Sequence, residues 1–356
     1  MKKLFMGLTT AATLAILAGC GGDNLGNVAN NDGEDGIRVE VIAKGFQHDF
    51  WQAVNLGANM AAEEYGVTIN FVGPSSETAI QEQVDMVNSA INRRPDAIAL
   101  AALDTNALLD ALNTAVDNNI PIIGFDSGIP DAPEGSIWAN ASTDNFKGGA
   151  LAAQMLFDEI SPQIGGETVR IGVIAQEVNS LSIYSRAAGF VETLTELIET
   201  EGNTVAILGH SRFQNNVNES DANAIIEVRV PAQVTDSAAR SEAMALLNRP
   251  ELIAIYGTNG FASNAIINAN DGLTNGRIGN DVVAVGFDSG TLQQAAIRDQ
   301  RFFGSVTQNP VKIGFYAVSL AVRAVNGEEV SDMDTGAEWW NHTNIDDPAI
   351  QELLYD

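Results

Sequence analysis

The chain has 356 residues, 45% hydrophobic and 18% charged, enough apolar material for a sizeable core and enough length for about two domains. Forty-six acidic residues against 18 basic ones give a formal charge of -28, a field that repels phosphate backbones and anionic lipid headgroups and so argues against nucleic acid as a partner. With one cysteine, no internal disulfide can form within the chain.

Taken in chain order, the N-terminus reads Met1-Lys2-Lys3, then an apolar stretch from Leu4 to Ala18, then Gly19-Cys20. This is the pattern of a secretory signal, too short for an ordinary membrane span. A cysteine behind small residues marks a bacterial lipoprotein. Residues 1–19 are therefore expected to be removed, leaving a lipidated Cys20 as the membrane anchor of an extracytoplasmic protein. Residues 20–36, rich in Gly, Asn and Asp, read as a flexible tether.

From Ile37 onward, short apolar runs alternate with amphipathic stretches. IRVEVIAK, VTINFVG, AIALAAL, IPIIGFDS and SIWANAS predict strands, and Phe50 to Tyr65 and Thr78 to Asn92 carry helical spacing. Asn145 to Ile160 predicts a further helix with Asp144 as its N-cap. A second series follows: VRIGVIAQ, a helix through Arg186 to Thr200, VAILGH, IIEVRVP, a helix from Ser237 to Leu247, LIAIYGT, a helix after Phe261, and VVAVGFDS. The fold class is α/β, with two doubly wound, Rossmann-like units in tandem.

The pentapeptide GFDSG ends a predicted strand in each unit, at 124–128 and 286–290. Ligands of such sheets sit outside the carboxyl ends of the strands, where the loops converge. A short carboxylate at that point either caps the next helix or accepts hydrogen bonds from a bound molecule. Two identical copies, one per unit, favour Asp126 and Asp288 as paired carboxylates facing a shared cleft.

The stretch AKGFQHDFWQAVNLGANMAAEEYGV resembles the first strand and helix of the type 1 periplasmic sugar-binding proteins, the ribose- and arabinose-binding group that shares its fold with the effector domains of lactose-repressor-like regulators. IPIIGFDSG, STDNFKGG, SRAAGF, YGTNGFAS, VVAVGFDSG and FGSVTQNPVKIG follow in the same order, so the resemblance runs from Ile37 to the C-terminus. It implies an N-terminal lobe of residues 37–143 plus 309–337 and a C-terminal lobe of 144–308 plus 338–356. Three hinge crossings, near Thr143, Gln308 and Ala337, would join them.

Position by position, the resemblance implies that Lys44 and His48 reach sugar hydroxyls from the first loop and that Phe50 and Trp51 stack on the sugar's faces. Asp126 and Asp288 match the acidic groups of the cleft, and Arg186, Asn259 and Gln308 match its arginine, asparagine and lobe-junction glutamine. Ser127 stands where ribose-binding members carry an arginine, and His48 where they carry an asparagine, which points away from ribose in its usual pose. Residues 209–230 form a longer segment than in the simplest members, and Tyr184 and Phe261 are candidates to complete the stacking surface.

Chemistry beyond binding finds little support. His48, His210 and His342 lie far apart, and no HExxH, GxSxG, GxxxxGK[ST] or strand-following GxGxxG occurs, so neither an enzyme nor a metal site or cofactor is expected. Asn216, Asn218, Ser220 and Glu227 faintly echo a calcium loop, but Asp221 stands where the turn needs Gly, and a solvated polar loop is the reading kept. Trp339 and Trp340 read as packing for the last crossing strand. The expected function is a monomeric, lipid-anchored receptor that captures a monosaccharide or related polyol and delivers it to the permease and ATPase of an ABC importer. The alternative is a sugar-sensing module coupled to a membrane kinase or chemoreceptor. The export signal and the absence of a DNA-binding head argue against a cytoplasmic repressor.

Overall fold

The structure, a computed structural model, describes residues 36–46 and 48–355. The export signal, Cys20 and the tether as far as residue 35 lie outside the described residues. No helix among the described residues is long and apolar enough to cross a membrane.

In the first lobe, β1 (Arg38–Ile42), α1 (Asp49–Tyr65), β2 (Thr68–Val72), α2 (Ile80–Arg93), β3 (Ala97–Leu100), α3 (Leu109–Asp117), β4 (Ile122–Phe125) and β5 (Ile137–Ser142) follow one another. Their strands pair in parallel in the order β5-β4-β3-β1-β2. Every residue of β3 and β4 is buried, as a parallel strand covered on both faces requires, which is why these segments read as unbroken apolar runs.

The second lobe repeats the plan. It is built from α4 (Asn145–Ile160), β6 (Val169–Ile174), α5 (Leu181–Thr200), β7 (Val205–Gly209), β8 (Ala224–Arg229), α6 (Asp236–Leu247), β9 (Leu252–Gly257), α7 (Gly260–Asp271), β10 (Val283–Phe287), α8 (Thr291–Arg298) and β11 (Gly304–Gln308). The order β11-β10-β9-β6-β8-β7 shows what the long 209–230 segment does. It threads β8 as an additional parallel strand between β6 and β7. Glu227 lies in that strand, buried and paired with Arg170 and Arg229, so it is held by guanidinium groups and does not close a cation loop. Asp144 caps α4, accepting from the Lys147 amide at 3.0 Å.

After β11 the chain recrosses. Helix α9 (Pro310–Val325) packs on α1 in the first lobe, and β12 (Met333–Asp334) extends the first sheet beside β5. Next, β13 (Ala337–Trp340) pairs antiparallel with β11, and α10 (Pro348–Gln351) sets Ile350 into the second lobe's core. Trp340 is buried in that core and Trp339 packs on Phe303, so both tryptophans serve packing. The final residues bridge the lobes. The Leu353 carbonyl is bound by the Ser289 hydroxyl of the second lobe, while the Tyr355 ring lies 6.0 Å from Phe50 in the first lobe's core.

The three crossings meet at one side chain. Thr143 Oγ1 lies 3.1 Å from Gln308 Oε1, 3.3 Å from Thr335 Oγ1 and 3.2 Å from the Gly336 carbonyl. Each lobe also holds one close helix crossing that only glycine permits. A Cβ on Gly314 of α9 would fall 1.9 Å from the Val54 carbonyl of α1, and one on Gly189 of α5 would fall 2.1 Å from the Phe146 carbonyl of α4. Helices α1 and α5 carry site residues, so these crossings fix where those residues stand.

Candidate ligand-binding cleft

Both GFDSG copies end their strands in the same way. Phe125 and Phe287 turn into the two cores, and the next residue reverses into the left-handed region, with φ 54° at Asp126 and 75° at Asp288. Aspartate tolerates that conformation better than most residues because its short polar side chain can bond locally. Each Asp amide donates to the neighbouring strand, Asp126 to the Ala141 carbonyl at 3.1 Å and Asp288 to the Val306 carbonyl at 2.7 Å. The turn throws each carboxylate toward the gap between the lobes.

There they line one small cavity of about 30 Å³. Around Asp126, the first lobe contributes Lys44 from the end of β1, His48, Phe50 and Trp51 from the start of α1, and Glu77 from the loop after β2. The second lobe contributes Gln176 beyond β6, Ile183 and Arg186 on α5, Asn259 and Gly260 at the start of α7, Asp288, and Gln308 at the end of β11. The structure thus brings together nine of the ten residues named from the sequence. Ser127 is buried but off the cavity wall, where its hydroxyl accepts from the Ser182 amide at 3.3 Å.

The charges are arranged in opposed sets. Lys44 Nζ lies 2.9 Å from Asp126 Oδ2 and donates to Ser182 Oγ of the other lobe at 2.9 Å. Burial alone would lower the Lys44 ammonium, but Asp126, Glu77 and Glu177 outweigh it and hold its pKa above the ordinary 10.5. Asp288 is held differently. It accepts from the Gly260 amide and from Gln308 Nε2, both at 2.9 Å, with Arg186 Nη1 at 3.8 Å. The Arg186 guanidinium lies 3.9 Å above the Phe287 ring and donates from Nε to Asn145 Oδ1 at 2.8 Å, which leaves little freedom in its direction.

Two polar residues that carry no motif complete the cavity. Glu77 accepts from Trp51 Nε1 at 2.7 Å and, across the cleft, from Gln176 Nε2 at 2.9 Å. Gln176 in turn accepts from Asn259 Nδ2 at 2.6 Å. Burial would push the Glu77 carboxyl up, but Lys44 and the bonds from Trp51 and Gln176 more than reverse this, holding it below the ordinary carboxylate value. The sequence signal for both was position alone, just past the carboxyl ends of β2 and β6.

His48 caps α1, its Nδ1 accepting from the Phe50 amide at 3.3 Å, and its ring sits so near Gly260 that a Cβ there would lie 3.5 Å from it. Phe50 and Trp51 meet edge to face, with centroids 4.9 Å apart. Tyr184 points elsewhere, stacked on Phe213 beneath Arg212 and away from the cavity lining. Phe261 lines the mouth of the cleft rather than its interior.

Such a cavity can grip a small polar molecule without reacting with it. Carboxylates, a guanidinium, an ammonium and amides surround two aromatic rings, and no group of three or more candidate metal ligands occurs among the described residues. Two α/β lobes, three crossings at one hinge and a charged cavity at the switch points define a two-lobed binding protein. The chain belongs to the periplasmic binding protein domain family, which it matches over residues 39–329.

The chain is similar to the ribose import binding protein RbsB of Bacillus subtilis (strain 168), with 19% identity over 302 residues, 85% of this chain and 86% of that protein. A solved structure from Brachyspira murdochii, described as an ABC transporter, LacI family transcriptional regulator, is 38% identical with a TM-score of 0.75, covering 90% of this chain and 99% of that one. An ABC transporter solute binding protein from Agrobacterium vitis, solved with bound D-fucose, is 27% identical with a TM-score of 0.75, covering 89% and 100%. The family is one of periplasmic binding proteins, not enzymes.

Proposed function

We propose that the protein captures a monosaccharide or related polyol between its lobes and hands it to an ABC importer. The observation that carries this reading is the convergence of Asp126 and Asp288, one from each lobe, on a cavity that also holds Phe50 and Trp51. A sugar presents faces of C–H groups that stack on aromatic rings, and a rim of hydroxyls that donate to carboxylates and accept from Lys44, Arg186, Asn259 and Gln308. Each charge-assisted bond contributes about 1.5 to 3 kcal/mol. Contacts on both lobes would favour the closed form, which Thr143 and Gln308 are positioned to hinge.

In this reading the N-terminal lobe comprises 37–143 plus 309–337 and the C-terminal lobe 144–308 plus 338–356, with Tyr355 reaching back across. The protein acts as a monomer, is anchored by a lipid on Cys20 and meets the permease and ATPase through its closed lobes. Transport is preferred to sensing because relatives carry names of import and ABC transport proteins.

A thermal-shift screen over pentoses, hexoses, polyols and cyclitols, followed by calorimetry, tests the reading. One compound is expected to raise Tm by several degrees, as binding at about a hundredfold over Kd stabilises by roughly 2.7 kcal/mol. Silence across every class would count against it. For the anchor, Cys20→Ala should release the protein from membranes that retain the wild type after a high-salt wash.

A further inference from the structure

The inner cavity adjoins a larger vestibule of about 290 Å³, and His48, Trp51, Glu77 and Gln176, three of them bonded to one another through Glu77, line both spaces. The vestibule wall is aromatic and comes from both lobes. Phe46, from the first loop, and Phe261, on the first turn of α7, face it together with Val234. Phe46 is 43% exposed, a high value for a phenylalanine. Yet its position is built: its carbonyl accepts from Gln52 Nε2 at 2.5 Å, and its ring rests 6.0 Å from Phe71. Ser75 and Ser76 add hydroxyl-bearing chain to the same wall.

We propose that this vestibule is a second subsite, so that the sugar ring held between Asp126 and Asp288 can carry a second ring, as in a disaccharide, lodged between Phe46 and Phe261. The proposal rests on the sugar-binding reading above and deepens it. A sugar ring takes the place between the two carboxylates only when the lobes part, which also breaks the Glu77–Gln176 bond across the cleft; a ring extended at one carbon then passes out beside Trp51 and Glu77, which line both spaces. The next ring then meets what a sugar face packs against, apolar and aromatic surface, while its hydroxyls stay at the wet edge. Phe46, exposed at the mouth, and half-buried Phe261 place apolar ring surface beside a polar cleft, where a ligand can cover it.

The test is calorimetry on matched pairs: D-glucose with maltose and cellobiose, D-galactose with lactose and melibiose, D-xylose with xylobiose. At least one disaccharide is expected to bind tenfold or more tightly than its parent sugar, a difference of about 1.4 kcal/mol. Phe46→Ala should bring that disaccharide back to within about threefold of the monosaccharide while leaving monosaccharide affinity within about twofold. Phe261→Ala should act in the same direction. A monosaccharide that binds while all its disaccharides bind tenfold more weakly would overturn the second subsite and leave the sugar reading standing. A disaccharide advantage that survives both substitutions would also overturn it. Failure of every sugar, single or paired, would remove both readings.

Discussion

Asp126 and Asp288 share a pentapeptide, a left-handed backbone and a place at the end of equivalent strands, but their partners differ in kind. Asp126 faces an ammonium, Lys44, in a pair whose side chains are 2% and 6% exposed. Asp288 faces donors fixed by the fold, the Gly260 amide and Gln308, and Gln308 in turn reaches Thr143 at the hinge. One lobe therefore holds its carboxylate with a buried side-chain counter-charge, and the other wires its carboxylate into the crossings. On the function proposed above, the same sequence would serve ligand recognition in the first lobe and the coupling of recognition to closure in the second.

The largest effect should come from removing the wired carboxylate. Asp288→Ala is expected to weaken ligand binding about a hundredfold and to lower stability by roughly 3 kcal/mol, because Gly260, Gln308 and Arg186 lose a shared buried acceptor. Asp126→Ala should weaken binding about tenfold with a smaller loss of stability, since Lys44 keeps Glu77 and Glu177 as counter-charges. Calorimetry and thermal melts on both variants read the difference. Equal losses would show that the two strand ends do the same work.

Gln308→Leu isolates the link to the hinge. It leaves both carboxylates in place and cuts the path from Asp288 to Thr143. The expected loss is about tenfold in affinity, drawn from closure, so small-angle scattering at equal ligand concentration should show a larger radius than in the wild type. A variant as compact as the wild type and equally tight in binding would dissolve the coupling argument.

Across the cleft, Glu77 gives a pH signature. Its folded pKa lies below the ordinary 4.5, so its contribution to stability is present above that value and is lost as pH falls through the lowered one. Glu177 has the opposite sign, because burial raises its carboxyl despite the bonds from Ser180, and its contribution fades as pH rises through the raised value. Melting temperatures of Glu77→Gln between about pH 3 and 5 should fall less steeply than those of the wild type. An acid limb of unchanged slope would remove Glu77 from the set of residues that tie the lobes.

The architecture was legible because parallel strands buried on both faces leave unbroken apolar runs, and because capping at Asp144 and the left-handed turn at GFDSG use residues chosen for those jobs. Part of what made the family motifs recognisable is packing rather than ligand chemistry: the glycines of STDNFKGG, SRAAGF and NPVKIG mark helix crossings, with Gly149, Gly189 and Gly314 each too close to a neighbouring carbonyl for any side chain. Helix α3 was given no bounds, because its nine residues span little more than two turns over which a period can be judged. Glu77 and Gln176 went unread because a lone polar residue in a loop has no periodicity, and its meaning arises only when the lobes bring the ends of β2 and β6 face to face. The run IIEVRVP was legible as a strand, β8, although it carries Glu227 and Arg229, whose charges are buried by mutual pairing; what could not be read was that it enters the sheet between β6 and β7.

The smallest and sharpest test concerns the serines that follow each Asp. Ser127 Oγ accepts from the Ser182 amide at the start of α5 in the opposite lobe, whereas Ser289 Oγ donates to the Leu353 carbonyl at 3.2 Å and accepts from Thr307 at 3.0 Å. The first contact is made directly between the lobes and is lost when they part. The second holds the tail that carries Tyr355 to Phe50, a contact within the second lobe whose effect reaches the first through that ring. Each hydrogen bond contributes about 1 kcal/mol. Ser127→Ala is expected to raise the ligand off-rate about threefold to fivefold with little change in the unliganded melt, since the bond belongs to the closed form. Ser289→Ala should do the reverse, lowering Tm by a few degrees and speeding amide exchange in the last turn before Tyr355, with affinity nearly unchanged. If both variants slow closure or both merely soften the tail, the repeat is symmetric after all, and the division of labour between the two strand ends stops at the carboxylates.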